Sequence, residues 1–222
     1  MKYTLINFQD GRGNKIDCGK NPDPKVEVIF RGSNNTLIVH PEAKISTTSI
    51  HFDCDDGICI IGRNSFIGFI RIGNGCNVKI NDGVTCTAKC YISTAEGSSV
   101  EIGDDCMFAT GNEIRSDDGH PIFDVKTGLR INNPSSIKIG NHVWISAKAT
   151  ILGGTIIGDG SIVGLGSITK DVFPNNCIIV GVPAKVTKKD VAWERPHLTL
   201  SKPFIKKDSS SIKKSNYWNL TK

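Results

Sequence analysis

The sequence predicts an all-β protein in which short strands alternate with tight turns, and three observations support this fold class. Isoleucine occurs 30 times and leucine only eight times among the 222 residues, and there are 23 glycines. β-Branched side chains favour strands, and glycine favours tight turns. A period of six residues also runs through the second half of the chain. These features argue against a helical bundle.

The six-residue period is clearest from Ile139 onward, where the chain reads IGNHVW-ISAKAT-ILGGTI-IGDGSI-VGLGSI-TKDVFP. The first position is held by Ile139, Ile145, Ile151, Ile157, Val163 and Thr169, and the fifth by Val143, Ala149, Thr155, Ser161 and Ser167. Six residues suffice for one strand and one turn, and three such units close a triangular coil. We therefore expect a parallel β-helix with one aliphatic and one small side chain at each inner corner.

Weaker copies of the repeat precede this region and begin at Ile61, Ile72, Ile80 and Ile102. They place three thiols at the small inward position, namely Cys76, Cys90 and Cys106. The chain has eight cysteines but no Cys-x-x-Cys pair, and its first twenty residues lack the apolar core of a signal peptide. Buried reduced thiols are therefore expected, without a disulfide framework or a zinc site.

The repeat divides the chain into three predicted segments. Residues 1–60 are expected to form irregular capping coils, and residues 61–183 the regular β-helix. A spacing of 37 residues separates Ile102 from Ile139, which exceeds one coil and requires a projecting loop near residues 115–136. Residues 184–222 form a C-terminal extension, expected to hold a short helix and then an extended tail, because Pro196 and Pro203 would break a longer helix.

Positive charge is concentrated in that extension. Residues 185–222 contain ten basic and three acidic residues, whereas the preceding part contains 17 basic and 19 acidic residues. A nearly neutral body is a poor match to a nucleic-acid-binding protein, and no apolar stretch approaches the ~20 residues of a membrane span. We expect a soluble, cytoplasmic protein. The basic tail suggests peripheral membrane or anionic-glycan contact, and a disordered tail without a role remains open.

The loop contains the candidate chemistry, because its sequence RSDDGHPIFDVKTGLRINN is centred on His120. Catalytic side chains often lie on loops of a rigid scaffold, and histidine accepts a proton near neutral pH. Trp144 occupies an outward hexad position, where a large aromatic has no role in the core. His142 occupies the fourth hexad position and is expected to be a surface imidazole.

The run from Ile102 to Gly154 resembles the O-acetyltransferases that modify bacterial capsular and lipopolysaccharide sugars. GDDCMFATGNEIR, DDGHPIF, RIN and IGNHVWISAKATILGG carry the resemblance. The chain is similar, more loosely, to the galactoside, maltose and xenobiotic acetyltransferases of the hexapeptide-repeat acyltransferase group, over roughly residues 60–190. The resemblance implies a left-handed parallel β-helix of hexapeptide repeats. It also implies a homotrimer with acetyl-CoA in a groove between neighbouring subunits.

Specific site residues follow from the same resemblance. It implies that His120 is the general base, with Asp118 or Asp117 orienting its imidazole. The indole of Trp144, or backbone N–H groups, would stabilise the tetrahedral oxyanion, and Asn112 would face the cleft. Trp144 would also border the cofactor.

The implied cofactor contacts lie on the later coils. The pantetheine arm of coenzyme A would contact the turns at Ser146, Ala147, Gly164, Leu165 and Gly166, where Leu165 replaces the more usual alanine. The nucleotide end would meet Thr169, Lys170, Lys185 and Lys188, because lysines are suitable phosphate partners. No metal is implied.

The sequence therefore predicts an acetyl-CoA-dependent O-acetyltransferase acting on a sugar hydroxyl of a capsule or O-antigen, or of its precursor. An N-acetyltransferase of an amino-sugar nucleotide is the alternative within the same class, and longer acyl donors stay open. A γ-carbonic-anhydrase-like metalloenzyme would need three converging histidines. A non-catalytic β-solenoid would need regular outward ladders, whereas the outward positions here are mixed.

Overall fold

A computed structural model describes residues 2–19, 23–63, 66–196 and 209–222. Within these ranges the chain forms almost only β-strands, which are numbered here in chain order. They are β1 Lys2–Leu5, β2 Phe8–Gln9, β3 Lys15–Asp17, β4 Asp23–Phe30, β5 Thr36–Val39, β6 Ser49–Phe52, β7 Ile58–Ile61, β8 Gly68–Ile72, β9 Asn77–Ile80, β10 Thr85–Cys86, β11 Cys90–Thr94, β12 Ser99–Ile102, β13 Met107–Phe108, β14 Glu113–Arg115, β15 Ile137–Ile139, β16 Trp144–Ile145, β17 Thr150–Leu152, β18 Ile156–Ile157, β19 Ile162–Val163, β20 Ile168–Thr169, β21 Val172–Phe173, β22 Ile178–Gly181 and β23 Ala184–Lys188. A single turn of 3₁₀ helix covers Ser209–Ser211.

The strands form three sheets that wrap around one axis. Sheet I has the order β1-β4-β6-β8-β11-β14-β17-β20, sheet II β2-β3-β5-β7-β9-β12-β15-β18-β21, and sheet III β10-β13-β16-β19-β22-β23. Each strand from the middle of the stack pairs in parallel with its equivalent one coil away, as β17 pairs with β14 and β20. The predicted left-handed β-helix of hexapeptide repeats is confirmed.

Three rows of stacked turns join the sheets, and they position the site. The first corner joins sheet I to sheet II and includes residues 153–155. The second corner joins sheet II to sheet III and includes residues 158–161. The third corner joins sheet III to sheet I and includes residues 164–167.

The core lies inside the coil and consists of the residues that the repeat predicts. All eleven side chains at the first and fifth hexad positions are at most 1% exposed. Cys76, Cys90 and Cys106 are buried as predicted, and all eight cysteines are free thiols. Cys54 is the exposed exception.

Antiparallel strands cover sheets I and II at the N-terminal end of the stack and sheet III at its C-terminal end. At the N-terminal end β1 pairs antiparallel with β4, and β2 with β3. At the C-terminal end β23 pairs antiparallel with β22.

The C-terminal extension differs from the expectation of a short helix followed by a free tail. Its first residues form β23, because the turn at Gly181 reverses the chain onto sheet III. Residues 190–196 and 215–222, which we call the C-terminal strap, lie along the second corner. Asn176 bonds to the carbonyls of Val191 and Tyr217, and its own carbonyl accepts from Thr221. Pro203 and His197 lie outside the described residues.

No helix in the described ranges is long and apolar enough to cross a membrane.

Candidate active site

The projecting loop leaves the coil at the first corner, as predicted. It comprises residues 116–136, between β14 and β15. Its outer part is a short hairpin with an antiparallel bridge between Phe123 and Arg130. Asp124 closes the hairpin by accepting hydrogen bonds from the backbone N–H groups of Lys126 and Thr127. The pKa of the Asp124 carboxyl is lowered by these bonds and by the Thr127 hydroxyl.

The two limbs of the loop enclose a polar pocket of about 280 Å³ against the edge of sheet I. Asp117 and Asp118 line it from the first limb, Asn132 and Asn133 from the second, and Lys170 from the coil. Carboxylates and amides are suitable partners for hydroxyl groups. The pocket is therefore chemically matched to a hydroxylated ligand.

His120 is exposed on the first limb, two residues after Asp118, which lines this pocket. Its backbone carbonyl accepts a 2.8 Å hydrogen bond from Nδ2 of Asn132. The neighbouring carboxylates bond elsewhere, since Asp118 accepts from Asn132 and Asp117 from the N–H of Gly119. Orientation of the imidazole by either aspartate therefore stays a prediction.

The expected cofactor turns stack on one another at the third corner. The N–H of Lys148 bonds to Thr110 O at 2.8 Å, and the N–H of Gly166 bonds to Ala147 O at 3.0 Å. Ser146 and Ala147 are half-buried, whereas the side chain of Leu165 is 73% exposed. A ligand lying along this corner would meet the Leu165 side chain.

The two glycines beside Leu165 have separate structural explanations. A Cβ at Gly164 would lie 2.8 Å from Cγ2 of Val180, so this glycine is required by packing inside the chain. Gly166 has a φ of +66°, and a Cβ at this position would meet no atom within 4 Å. This glycine is therefore required by the backbone conformation of the turn. Only the position of Gly166 leaves its outer side open to a ligand.

Asn112 does not face a cleft, which corrects the expectation for this residue. It is 1% exposed, and its Nδ2 donates to the carbonyl of Ser146 at 2.7 Å. Its Oδ1 is buried without a hydrogen-bond partner. Asn112 therefore supports the third corner from inside the coil.

The expected nucleotide-binding residues are spread over different elements. Thr169 points into the core, where its hydroxyl lies 3.3 Å from that of Thr155, and the whole residue is buried, which corrects its expected contact with the nucleotide. Lys170 lines the loop pocket at the first corner. Lys185 forms an exposed 3.5 Å ion pair with Asp171. Lys188 is exposed at the end of β23.

Trp144 points outward from sheet III, as predicted, and is half-buried. Its ring lies 5.9 Å from that of Trp193 in the C-terminal strap, at 45°. The strap therefore covers one side of the indole.

His142 is not a surface imidazole, which corrects the prediction. It is 2% exposed because the strap covers it, and its φ of +51° confirms a turn position. Nδ1 lies 2.6 Å from Oδ2 of Asp105, and Nε2 lies 3.0 Å from the carbonyl of Trp193. Each ring nitrogen therefore lies at hydrogen-bond distance from an oxygen.

Sequence reasoning missed the residues that hold the loop. Arg130 forms a bidentate ion pair with Glu96 of the preceding first-corner turn, at 2.7 and 3.0 Å. Asn132, on the second limb, bonds to the backbone of His120 and Ile122 on the first. Both residues belong to the RIN motif, which carries part of the family resemblance.

No three histidine, cysteine, aspartate or glutamate side chains in the described part of the chain converge in a way that suits a metal ion. His120 lies on the first-corner loop, and His142 lies under the strap at the second corner. The two histidines nearest the regular coils are therefore not neighbours.

Comparisons with known proteins agree with this architecture. Residues 136–169 match the family model "Bacterial transferase hexapeptide (six repeats)". A putative lipopolysaccharide biosynthesis O-acetyl transferase, WbbJ of Escherichia coli K12, is 35% identical over 161 residues, covering 63% of this chain and 78% of the relative. The chain belongs to the hexapeptide-repeat O-acetyltransferase family.

Other members of this family are also similar to the chain. A polysialic acid O-acetyltransferase of Neisseria meningitidis is 34% identical over 55% of this chain, and the match spans 58% of the relative's length. The crystal structure of the polySia-specific acetyltransferase NeuO superimposes with a TM-score of 0.73 and 31% identity, covering 84% of this chain and 81% of that one. The polysialic acid O-acetyltransferase OatWY gives a TM-score of 0.68 and 28% identity, covering 86% and 92%.

Proposed function

We propose that this protein transfers an acetyl group from acetyl-CoA to a sugar hydroxyl of a bacterial surface polysaccharide, or of its precursor. The main support is an exposed histidine on a loop projecting from a hexapeptide-repeat coil, whose backbone carbonyl is bonded by Asn132 of the polar pocket. The names of the relatives, which refer to polysialic acid and lipopolysaccharide, support the substrate class. We expect this reaction to occur in the cytoplasm.

The proposed chemistry is direct transfer with His120 as general base. The imidazole removes the proton of the acceptor hydroxyl while the hydroxyl oxygen forms a bond to the thioester carbonyl carbon. The C–S bond then breaks, and the imidazolium returns the proton to the departing thiolate. General-base assistance of this kind contributes about 10²–10⁴-fold in rate. The indole N–H of Trp144 is the proposed donor to the oxyanion.

Coenzyme A fits the third corner through backbone contacts. The corner presents Ala147 and Gly166 outward, and a Cβ at Gly166 would meet no atom of the chain within 4 Å. Lys170, Lys185 and Lys188 stay proposed phosphate partners. Of these, Lys185 would have to exchange its ion pair with Asp171 for the ligand.

We further propose a homotrimer whose sites lie between subunits. His120 is at the first corner and the groove residues are at the third, with a strand of sheet I between them. Side chains on different corners of one coil face different directions, so a site that uses both requires two copies. The hairpin also exposes Ile122, Phe123, Val125, Leu129 and Ile131, and Val125 is 98% exposed. An apolar tip of this kind is suited to contact with a neighbouring subunit.

The catalytic assignment is tested with His120→Ala and a matched control, His40→Ala, because His40 is exposed and far along the chain from the loop. Each protein is incubated with acetyl-CoA and a panel of sugars, nucleotide sugars and capsule fragments, and transferred acetyl groups are detected by mass spectrometry. We expect His120→Ala to lower kcat by about 10²–10⁴-fold, with His40→Ala unchanged. Equal turnover by both variants would reject His120 as the base.

The shared site is tested by complementation. His120→Ala lacks the base, and Ala147→Arg blocks the groove, so each variant alone should be inactive. In a ring that mixes the two chains equally, about a quarter of the interfaces pair an intact loop with an intact corner. Co-expression should therefore restore about a quarter of wild-type turnover. No recovery in verified mixed trimers would place the whole site within one chain.

A further inference from the structure

The segment that carries His120 is held from the opposite limb of the loop by one side chain. Nδ2 of Asn132 donates to the carbonyl of His120 at 2.8 Å and to Oδ2 of Asp118 at 2.9 Å. Oδ1 of the same amide accepts from the N–H of Ile122 at 2.7 Å and from Nε of Arg130 at 3.3 Å. The amide therefore contacts the chain on both sides of the catalytic candidate.

The orientation of the Asn132 amide follows from its partners. Both groups near Nδ2 are acceptors, and both groups near Oδ1 are donors, so the reversed amide would make none of the four bonds. One orientation satisfies every contact. Asn132 is half-buried, which limits competition from water.

The second limb is itself tied to the coil. Arg130, two residues before Asn132, makes the bidentate pair with Glu96, and the N–H of Ser135 bonds to Ser116 O at 3.0 Å. Bidentate arginine–carboxylate pairs fix geometry as well as distance. The contacts thus form a connected path from the rigid coil through Glu96 and Arg130 to Asn132, and from Asn132 to the backbone of His120.

We propose that Asn132 is a positioning residue for His120 and holds the backbone of the base in place through its side-chain amide. This inference rests on the proposed role of His120. A misplacement of about 1 Å at a reacting group costs on the order of 10²-fold in rate. Loss of the Asn132 hydrogen bonds should affect the chemical step and leave cofactor binding unchanged, because the third-corner groove is on a different part of the coil.

The variants that test the proposal are Asn132→Ala and the isosteric Asn132→Asp. Aspartate keeps the oxygen that accepts from Ile122, but its second oxygen would face the carbonyl of His120 and the carboxylate of Asp118, which are also acceptors. It should therefore impair the enzyme at least as much as alanine. The matched control is Lys126→Ala at the hairpin tip. We expect kcat to fall by about 10–100-fold in both Asn132 variants, with KM for acetyl-CoA within about twofold.

A double-mutant cycle separates positioning from a general structural role. If Asn132 acts through His120, the variant with both His120→Ala and Asn132→Ala should be as slow as His120→Ala alone. A further drop by the full factor of the single Asn132 change would overturn the proposal. Wild-type kcat in Asn132→Ala, with His120→Ala impaired, would also overturn it while leaving the proposed function intact.

Amide hydrogen exchange tests the contacts of the Asn132 side chain without any assay of activity. The N–H of Ile122 should exchange at least about tenfold faster in Asn132→Ala, because it loses its acceptor, and should be unaffected in Lys126→Ala. Unchanged protection of Ile122 in Asn132→Ala would overturn the proposal. Wild-type turnover by His120→Ala would reject His120 as the base, and the positioning role with it.

Discussion

The imidazole of His142 lies parallel to the ring of Tyr217, with 4.6 Å between their centroids and 2° between their planes. On its other face the imidazole stacks on Trp193 at 4.1 Å. Asp105, which bonds to Nδ1 of His142, also accepts from Nε of Arg195 at 2.6 Å. The strap is therefore fastened to the second corner through His142 as well as through Asn176.

Replacing His142 should loosen this attachment. We expect His142→Ala to lower the free energy of unfolding by about 2–4 kcal/mol, because it removes a buried stacked ring and its hydrogen bonds to Asp105 and to the carbonyl of Trp193. Urea unfolding monitored by tryptophan fluorescence measures the change. The exposed His40→Ala is the control, with a change within about 0.5 kcal/mol. Equal effects of the two substitutions would contradict the anchoring role.

Thiol reactivity should single out one cysteine. Burial raises the pKa of Cys59, Cys86 and Cys106 to about 12, and the thiolate is the reactive form. Cys54 is exposed. We expect iodoacetamide at pH 8 to alkylate Cys54 first in the folded protein, as mapped by peptide mass spectrometry. Cys54→Ser should remove the fast phase, and rapid labelling of Cys59 in the native state would contradict the buried ladder.

The ion pair between Arg130 and Glu96 should depend on pH in a defined direction. The hydrogen bond from Arg130 holds the pKa of Glu96 below its ordinary range. A carboxyl with a depressed folded-state pKa stabilises the fold above its unfolded pKa, about 4.3, and that contribution is lost as pH falls through the folded value. Carboxyl NMR titration should therefore give a midpoint below about 4.3 for Glu96. Arg130→Gln should raise the midpoint, and an unchanged midpoint would show that the pair does not form.

Leu165 should control access to the third corner. Its side chain is 73% exposed, so Leu165→Ala should leave the melting temperature nearly unchanged. If coenzyme A lies along this corner, the smaller side chain widens the groove, and KM for acetyl-CoA should fall by about 2–10-fold. Val172→Ala, an exposed aliphatic change on sheet II, is the matched control. An identical KM in both variants would place the pantetheine arm elsewhere.

The coil was predictable because its pattern is periodic. Residues such as Ile151 and Ser161 recur at fixed spacing, and each recurrence reports the same inward environment. The loop was predictable from the excess spacing between Ile102 and Ile139. Periodicity therefore located the scaffold and the insertion together.

The contacts made by non-repeating segments were not predictable in the same way. His142 has an outward turn position, and only the strap, some fifty residues later in the chain, buries it. Asn112 resembles a cleft residue in sequence, yet its amide turns inward to Ser146. Asn132 acts through two limbs of one hairpin, which no spacing rule encodes.

The reversed strands at the ends of the stack have a consequence for self-association. Parallel coils leave unpaired backbone groups at their ends, and such edges invite another molecule to add its own strand. The direction of β1 and β23 breaks the register that an incoming coil would need, and Lys185 and Lys188 add charge at one end. At the edges that these strands cover, a solenoid that repeats itself internally is hindered from adding the coils of a second molecule.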